Sequence, residues 1–171
     1  IFQTSADRSD VTNVLVTITD GQPTVPSNSA VDDAKSAADV LKTIATSFII
    51  GVTDVIDEDL LQYMSSSPQL LNQNYFTPSS FEDLAFIRNQ VVTYACQEGV
   101  TPPPVTVKPT RDCENGIIDL AILVDGSGSI CNNCVGCSTC ANYDLVKDFV
   151  LGVIDQLDVS RDTTRISVVL F

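Results

Sequence analysis

Asp125, Ser127 and Ser129 alternate with Gly126 and Gly128 in the stretch DGSGSI. Three oxygen-bearing side chains therefore stand on a backbone free to turn sharply. Oxygen ligands of this kind suit a hard divalent cation, since Mg²⁺ takes six oxygens and keeps several of its waters. Cys131, Cys134, Cys137 and Cys140 follow at once, each three residues after the last. Thiolates at such spacing raise three options: a Zn²⁺ site, an iron–sulfur run, or disulfides. A Zn²⁺ site usually separates its two CxxC pairs by a longer loop, which is missing here. Cys96 and Cys113 bring the total to six, an even number.

Composition narrows the function classes. The chain of 171 residues is 44% hydrophobic, ordinary for a globular fold. Nine basic and 22 acidic residues give a net charge of −13. Such a balance disfavours nucleic acid and anionic membrane surfaces, which would repel it. No apolar run approaches the roughly 18 residues of a membrane helix. With no His anywhere, Ser-His-Asp and Cys-His catalysis are excluded. The start lacks both Met and a signal-like segment, so the expectation is a stretch from within a longer or processed product.

The elements that must position these residues alternate. NVLVTIT (13–19) reads as a buried strand ending in an Asp20-Gly21 turn. Ser29 with Asp32 suggests a capping box before a helix carrying Val31, Ala34, Ala38, Leu41 and Ala45. SFIIGV (47–52) reads as a second buried strand, and Asp57 as the cap of a short helix. NYFT (74–77) is a short strand, after which Ser79 or Ser80 caps a helix through Val91, Val92 and Ala95. Residues 97–112 have no helical period and contain four prolines, so an extended linker is expected. IIDLAILV (117–124) then reads as a buried strand. Tyr143, Val146, Val150, Val153 and Leu157 form a helical face, and RISVVLF (165–171) reads as another buried strand. Strands alternating with helices imply parallel βαβ units.

DLAILVDGSGSI (119–130), the helix after it and TRISVVLF (164–171) resemble the opening of a von Willebrand factor type A (VWA) domain. VLVTITDGQPT (14–24), FIIGV (48–52) and the helix ending near Cys96 resemble the closing half of such a domain. The resemblance implies an α/β fold, a doubly wound, Rossmann-like and mainly parallel sheet flanked by helices. The order of the halves is reversed. Residues 1–96 look like the closing half, 97–116 like a Pro-rich linker, and 117–171 like the opening half with a Cys-rich insertion at 131–140. A family edge strand and two helices are missing between the halves. Three accounts stay open: a slice across two tandem modules, a permuted single module, or exchange between chains giving a head-to-tail homopolymer.

In that family the strand-end motif is a metal-ion-dependent adhesion site. By resemblance, Ser127 and Ser129 would ligate Mg²⁺ (or Mn²⁺ or Ca²⁺) through their hydroxyls. Asp125 would act mainly through bound water, and Asp20 would complete the shell. An ion so held seeks one more anionic oxygen, which a protein partner's carboxylate supplies. The implied function is a non-enzymatic, secreted adhesion or matrix module. The alternative is a structural unit of an extracellular filament, with neighbouring VWA modules or chains as partners. An extracellular setting and an even cysteine count favour disulfides over bound Zn²⁺ or iron. Connectivity within Cys131–Cys140 stays open among three pairings. By resemblance, Cys96 would bond Cys113 in a permuted or exchanged module.

Overall fold

The computed structural model describes residues 2, 7–21, 23, 29–53, 56–98, 117–131 and 140–171. Five strands form one sheet: β1 (Thr12–Thr19), β2 (Thr46–Gly51), β3 (Tyr75–Phe76), β4 (Ile118–Val124) and β5 (Arg165–Leu170). Four α-helices accompany them among the described residues: α1 (Ala30–Lys42), α2 (Glu58–Met64), α3 (Leu84–Glu98) and α4 (Ala141–Ile154). The strand order is β3-β2-β1-β4-β5, and every pairing is parallel.

This order is doubly wound. From β1 the chain steps outward through β2 to β3, and from β4 it steps outward the other way to β5. Crossovers of a single hand then put the helices of the two directions on opposite faces. The packing follows that rule. Val14, Val16 and Ile18 of β1 and Ile118, Leu120, Ile122 and Val124 of β4 meet Val91, Val92 and Ala95 of α3 and Val146, Phe149 and Val153 of α4. On the other face, Leu15 and Ala121 meet Leu41 of α1, and Ile49 and Tyr75 meet Leu61 of α2. Both faces being covered explains why β1 and β4 read as continuous apolar runs.

Local signals resolve unevenly. Asp57 caps α2, its carboxylate accepting from the Leu60 N–H at 3.1 Å. The expected Ser29 capping box does not form: the Ser29 hydroxyl donates to Asp33 Oδ2 at 2.8 Å instead of bonding a helix N–H. Ala45 falls outside α1, which ends at Lys42, and α3 continues past Cys96 to Glu98. A 3-10 turn, Phe81–Asp83, precedes α3. The expectation for the linker at 99–116 lies outside the described residues.

One reading is corrected. RISVVLF is a strand, but not a buried one. It is the edge of the sheet, and Val168 (50%), Leu170 (57%) and Phe171 (61%) are substantially exposed. An apolar run looks alike in a covered strand and in an open edge, because periodicity alone does not report neighbours.

The central seam should dominate stability. Ile122 is 1% exposed in β4 between its two parallel neighbours. Truncating Ile122→Ala should cost about 2–5 kcal/mol. Urea unfolding should show the midpoint falling with little change in slope.

Candidate functional site

β1 and β4 end side by side. Their register runs from Thr12↔Ile118 to Ile18↔Val124, so Thr19 and Asp125 occupy the next rung and Asp20 lies just beyond. This is the point where the strand order reverses, the usual ligand crevice of an open α/β sheet. Asp20 and Asp125, 105 residues apart in sequence, thus reach one end of one seam.

Backbone contacts fix the loop after β4. The Asp125 N–H donates to Ile18 O at 2.9 Å, and the Gly126 N–H to Phe171 O at 2.7 Å. Gly126 is pressed against β5, where an added Cβ would meet Leu170 at 2.9 Å. A larger residue there would have to displace the exposed Leu170 side chain, and Ser127 and Ser129 stand exposed beyond it.

The side chains form one connected array. Asp125 Oδ1 accepts from the Ser127 N–H at 2.8 Å, and Asp125 Oδ2 accepts from the Thr19 hydroxyl at 2.8 Å. The Ser129 hydroxyl donates to Asp20 Oδ1 at 3.0 Å. Ser127 and Ser129 Oγ are 2.7 Å apart. A serine hydroxyl has one proton, and that of Ser129 is committed to Asp20, so Ser127 is the donor between them. All four residues named from the sequence, Asp20, Asp125, Ser127 and Ser129, are therefore brought together. The sequence does not single out Thr19. Its signal, a hydroxyl at the last position of a strand, acquires meaning only once β1 is paired with β4.

The electrostatics are strained in a specific way. Asp20 and Asp125 are each only 9% exposed. Burial pushes the Asp20 pKa up, the Ser129 hydrogen bond opposes this, and the Asp125 charge raises it further. Among the described residues no Lys or Arg pairs with either carboxylate. The donor set is oxygen throughout, which matches Mg²⁺, Mn²⁺ or Ca²⁺ rather than a soft metal. A cation here would relieve both the desolvation and the like-charge repulsion. Among the described residues no group of three or more His, Cys, Asp or Glu is placed to hold a metal ion.

At the rim, Cys131 and Cys140 form a disulfide with Cα atoms 5.3 Å apart. Of the three pairings that the sequence leaves open, this bridge belongs to the one that pairs Cys131 with Cys140 and Cys134 with Cys137. Those two residues lie outside the described ones, as does Cys113. Cys96 is disulfide-bonded.

Fold and cluster together define a class: a parallel α/β module that presents carboxylates and hydroxyls at the carboxyl end of its central seam. The sequence model of the von Willebrand factor type A domain matches residues 1–90 and 119–171, and the chain belongs to that family. The collagen alpha-4(VI) chain of Mus musculus is 26% identical over 172 residues, covering 100% of this chain and 6% of that protein. Matrilin-4 of Homo sapiens is 42% identical over 59 residues, covering 34% of this chain and 8% of that protein. The chain thus spans only 6% to 8% of the length of these relatives. A crystal structure of an uncharacterized protein from Alicyclobacillus acidocaldarius superposes with a TM-score of 0.52 at 11% identity, covering 98% of this chain and 75% of that one. That likeness concerns the fold alone.

The strain on Asp20 yields a prediction. A carboxyl whose folded pKa is raised is penalised once pH exceeds that pKa, and the penalty vanishes below the unfolded value near 3.8. Without metal, Asp20→Asn should therefore melt above the wild type at neutral pH. The gap should close as pH falls through the raised pKa. Thermal scans in chelator across that range provide the check.

Proposed function

We propose that the chain is an extracellular adhesion or matrix module that engages a protein partner through a divalent cation held by Asp20, Asp125, Ser127 and Ser129. The observation carrying this reading is the continuous array Asp20–Ser129–Ser127, buried at its acidic end and exposed at its hydroxyl end. The matrix proteins among its relatives support the setting.

Each residue has a role in this reading. Ser127 and Ser129 present hydroxyl lone pairs at the surface. Ser129 already directs its proton to Asp20, the orientation a ligating hydroxyl needs. Both oxygens of Asp125 are engaged by Ser127 and Thr19, which favours action through water. The bound ion supplies a coordination position for an anionic oxygen, and a partner's Asp or Glu fills it. Residues 1–96 and 117–171 act as closing and opening halves that complete each other within the chain, as the β1–β4 pairing supports. No catalytic step is part of this function.

A second reading, a filament unit, draws on a different observation. The open edge of β5 adjoins an apolar groove lined by Val150, Leu151, Ile154, Val168 and Leu170. Partner binding that persists in chelator favours this reading, whereas binding lost in chelator favours the adhesion reading.

The cation test is thermodynamic. At free Mg²⁺ or Mn²⁺ a hundredfold above Kd, mass action should stabilise the fold by about 2.7 kcal/mol. For a chain of this size that is a Tm rise of roughly 5–10 °C. Ser127→Ala should abolish the rise while leaving the metal-free melt near that of the wild type. An unchanged Tm in the wild type would remove the adhesion reading.

A further inference from the structure

We infer that Thr53 is a positioning residue for Asp20, holding the turn after β1 through its own hydroxyl at the expense of backbone strain. This rests on the cation-site reading above and adds a residue that the sequence did not single out. Thr53 follows β2 and has φ 103°, a left-handed value. For a β-branched residue that is a true outlier, because Cβ and its branches crowd the neighbouring backbone. Glycine would sit there at no steric cost. Strain of this kind persists only where surrounding contacts over-determine it.

Two of those contacts reach the end of β1, and a third ties Thr53 to the Pro78 carbonyl. The Thr53 hydroxyl donates to Asp20 O at 3.3 Å. The Thr53 N–H donates to Pro78 O at 3.2 Å, and the adjacent Val52 N–H to Thr19 O at 2.8 Å. Thr19 in turn holds Asp125 through its own hydroxyl. The end of β2 thus holds the backbone carbonyls on both sides of the Asp20 Cα. Its side chain is the one feature of Thr53 that glycine lacks, and that side chain reaches Asp20. The strain is explained if the hydroxyl is what the position requires. Asp20 must point its carboxylate at Ser129 for the array to close, and a turn pinned at its carbonyl has fewer ways to turn it elsewhere.

The test compares Thr53→Gly with Thr53→Ser in the full chain, with Mn²⁺ alone as the probe. Calorimetric titration should show Thr53→Ser binding like the wild type. Thr53→Gly should bind about fivefold to tenfold more weakly, the scale of a lost side-chain hydrogen bond. Metal-free Thr53→Gly should nevertheless melt at or near the wild-type temperature, because lost strain offsets the lost bond. Loss of affinity without loss of stability is what a merely structural role would not give. In chelator, amide hydrogen exchange at 19–21 should quicken in Thr53→Gly and not in Thr53→Ser. Equal Mn²⁺ affinity in all three proteins would overturn the inference and leave the cation site standing. Absence of Mn²⁺ binding that Ser127→Ala removes would defeat the cation-site reading instead. The exchange measurement then decides Thr53 by itself: quickening in Thr53→Gly sustains the positioning role, and unchanged exchange ends it.

Discussion

The parallel pairing of β1 with β4 is the constraint on which everything else rests. Seven rungs, from Thr12↔Ile118 to Ile18↔Val124, set where each strand ends. A slip of one residue would turn Val14, Val16 and Ile18 away from α3 and α4, since side chains alternate along a strand. It would also part Thr19 from Asp125 and Asp20 from Ser129. The hydrophobic pattern that stabilises the seam therefore also sets the chemistry at its end. Burial supplies the driving force, and the site inherits its precision from the register.

The same placement carries a cost. Two carboxylates, each almost fully covered, sit within reach of one another without a basic partner among the described residues. Desolvation, and next the Asp125 charge, disfavour the charged form of Asp20. The chain offsets part of this with hydroxyl and N–H donors from Thr19, Ser127 and Ser129. Hydrogen bonds to a carboxylate stabilise it, yet they do not cancel its charge. A net charge of −13 supplies no compensating background field. What remains is a cluster of oxygen donors with its hydroxyl side open to solvent, the feature on which the proposed cation site rests.

Much of this was legible in the residues. β-Branched runs closed by Asp-Gly announced β1 and β4, and alternation with helical periods announced a parallel sheet. DGSGS marked one half of the cluster by type and spacing alone. Asp20 joined it by resemblance, because nothing in the sequence measures the distance between residues 20 and 129. Thr19 and Thr53 stayed hidden for a related reason. A threonine at the end of a strand is ordinary until pairing shows what lies across from it. The exposure of Val168 to Phe171 was equally unreadable, since an apolar edge and an apolar centre share one pattern. Ser29 shows the opposite failure: a legible capping signal was overridden when its hydroxyl found Asp33 instead.

The central claim is that the two halves of this chain build one cation site in one molecule. Paramagnetic broadening of backbone amides by Mn²⁺, recorded on dilute, isotopically labelled chain at one equivalent, tests it most directly. The account predicts that amides at 19–21 and at 125–130 broaden together, with Ile118 at the far end of β4 spared, and that the pattern does not change on dilution. Broadening confined to 125–130, or joint broadening that disappears on dilution, would contradict it.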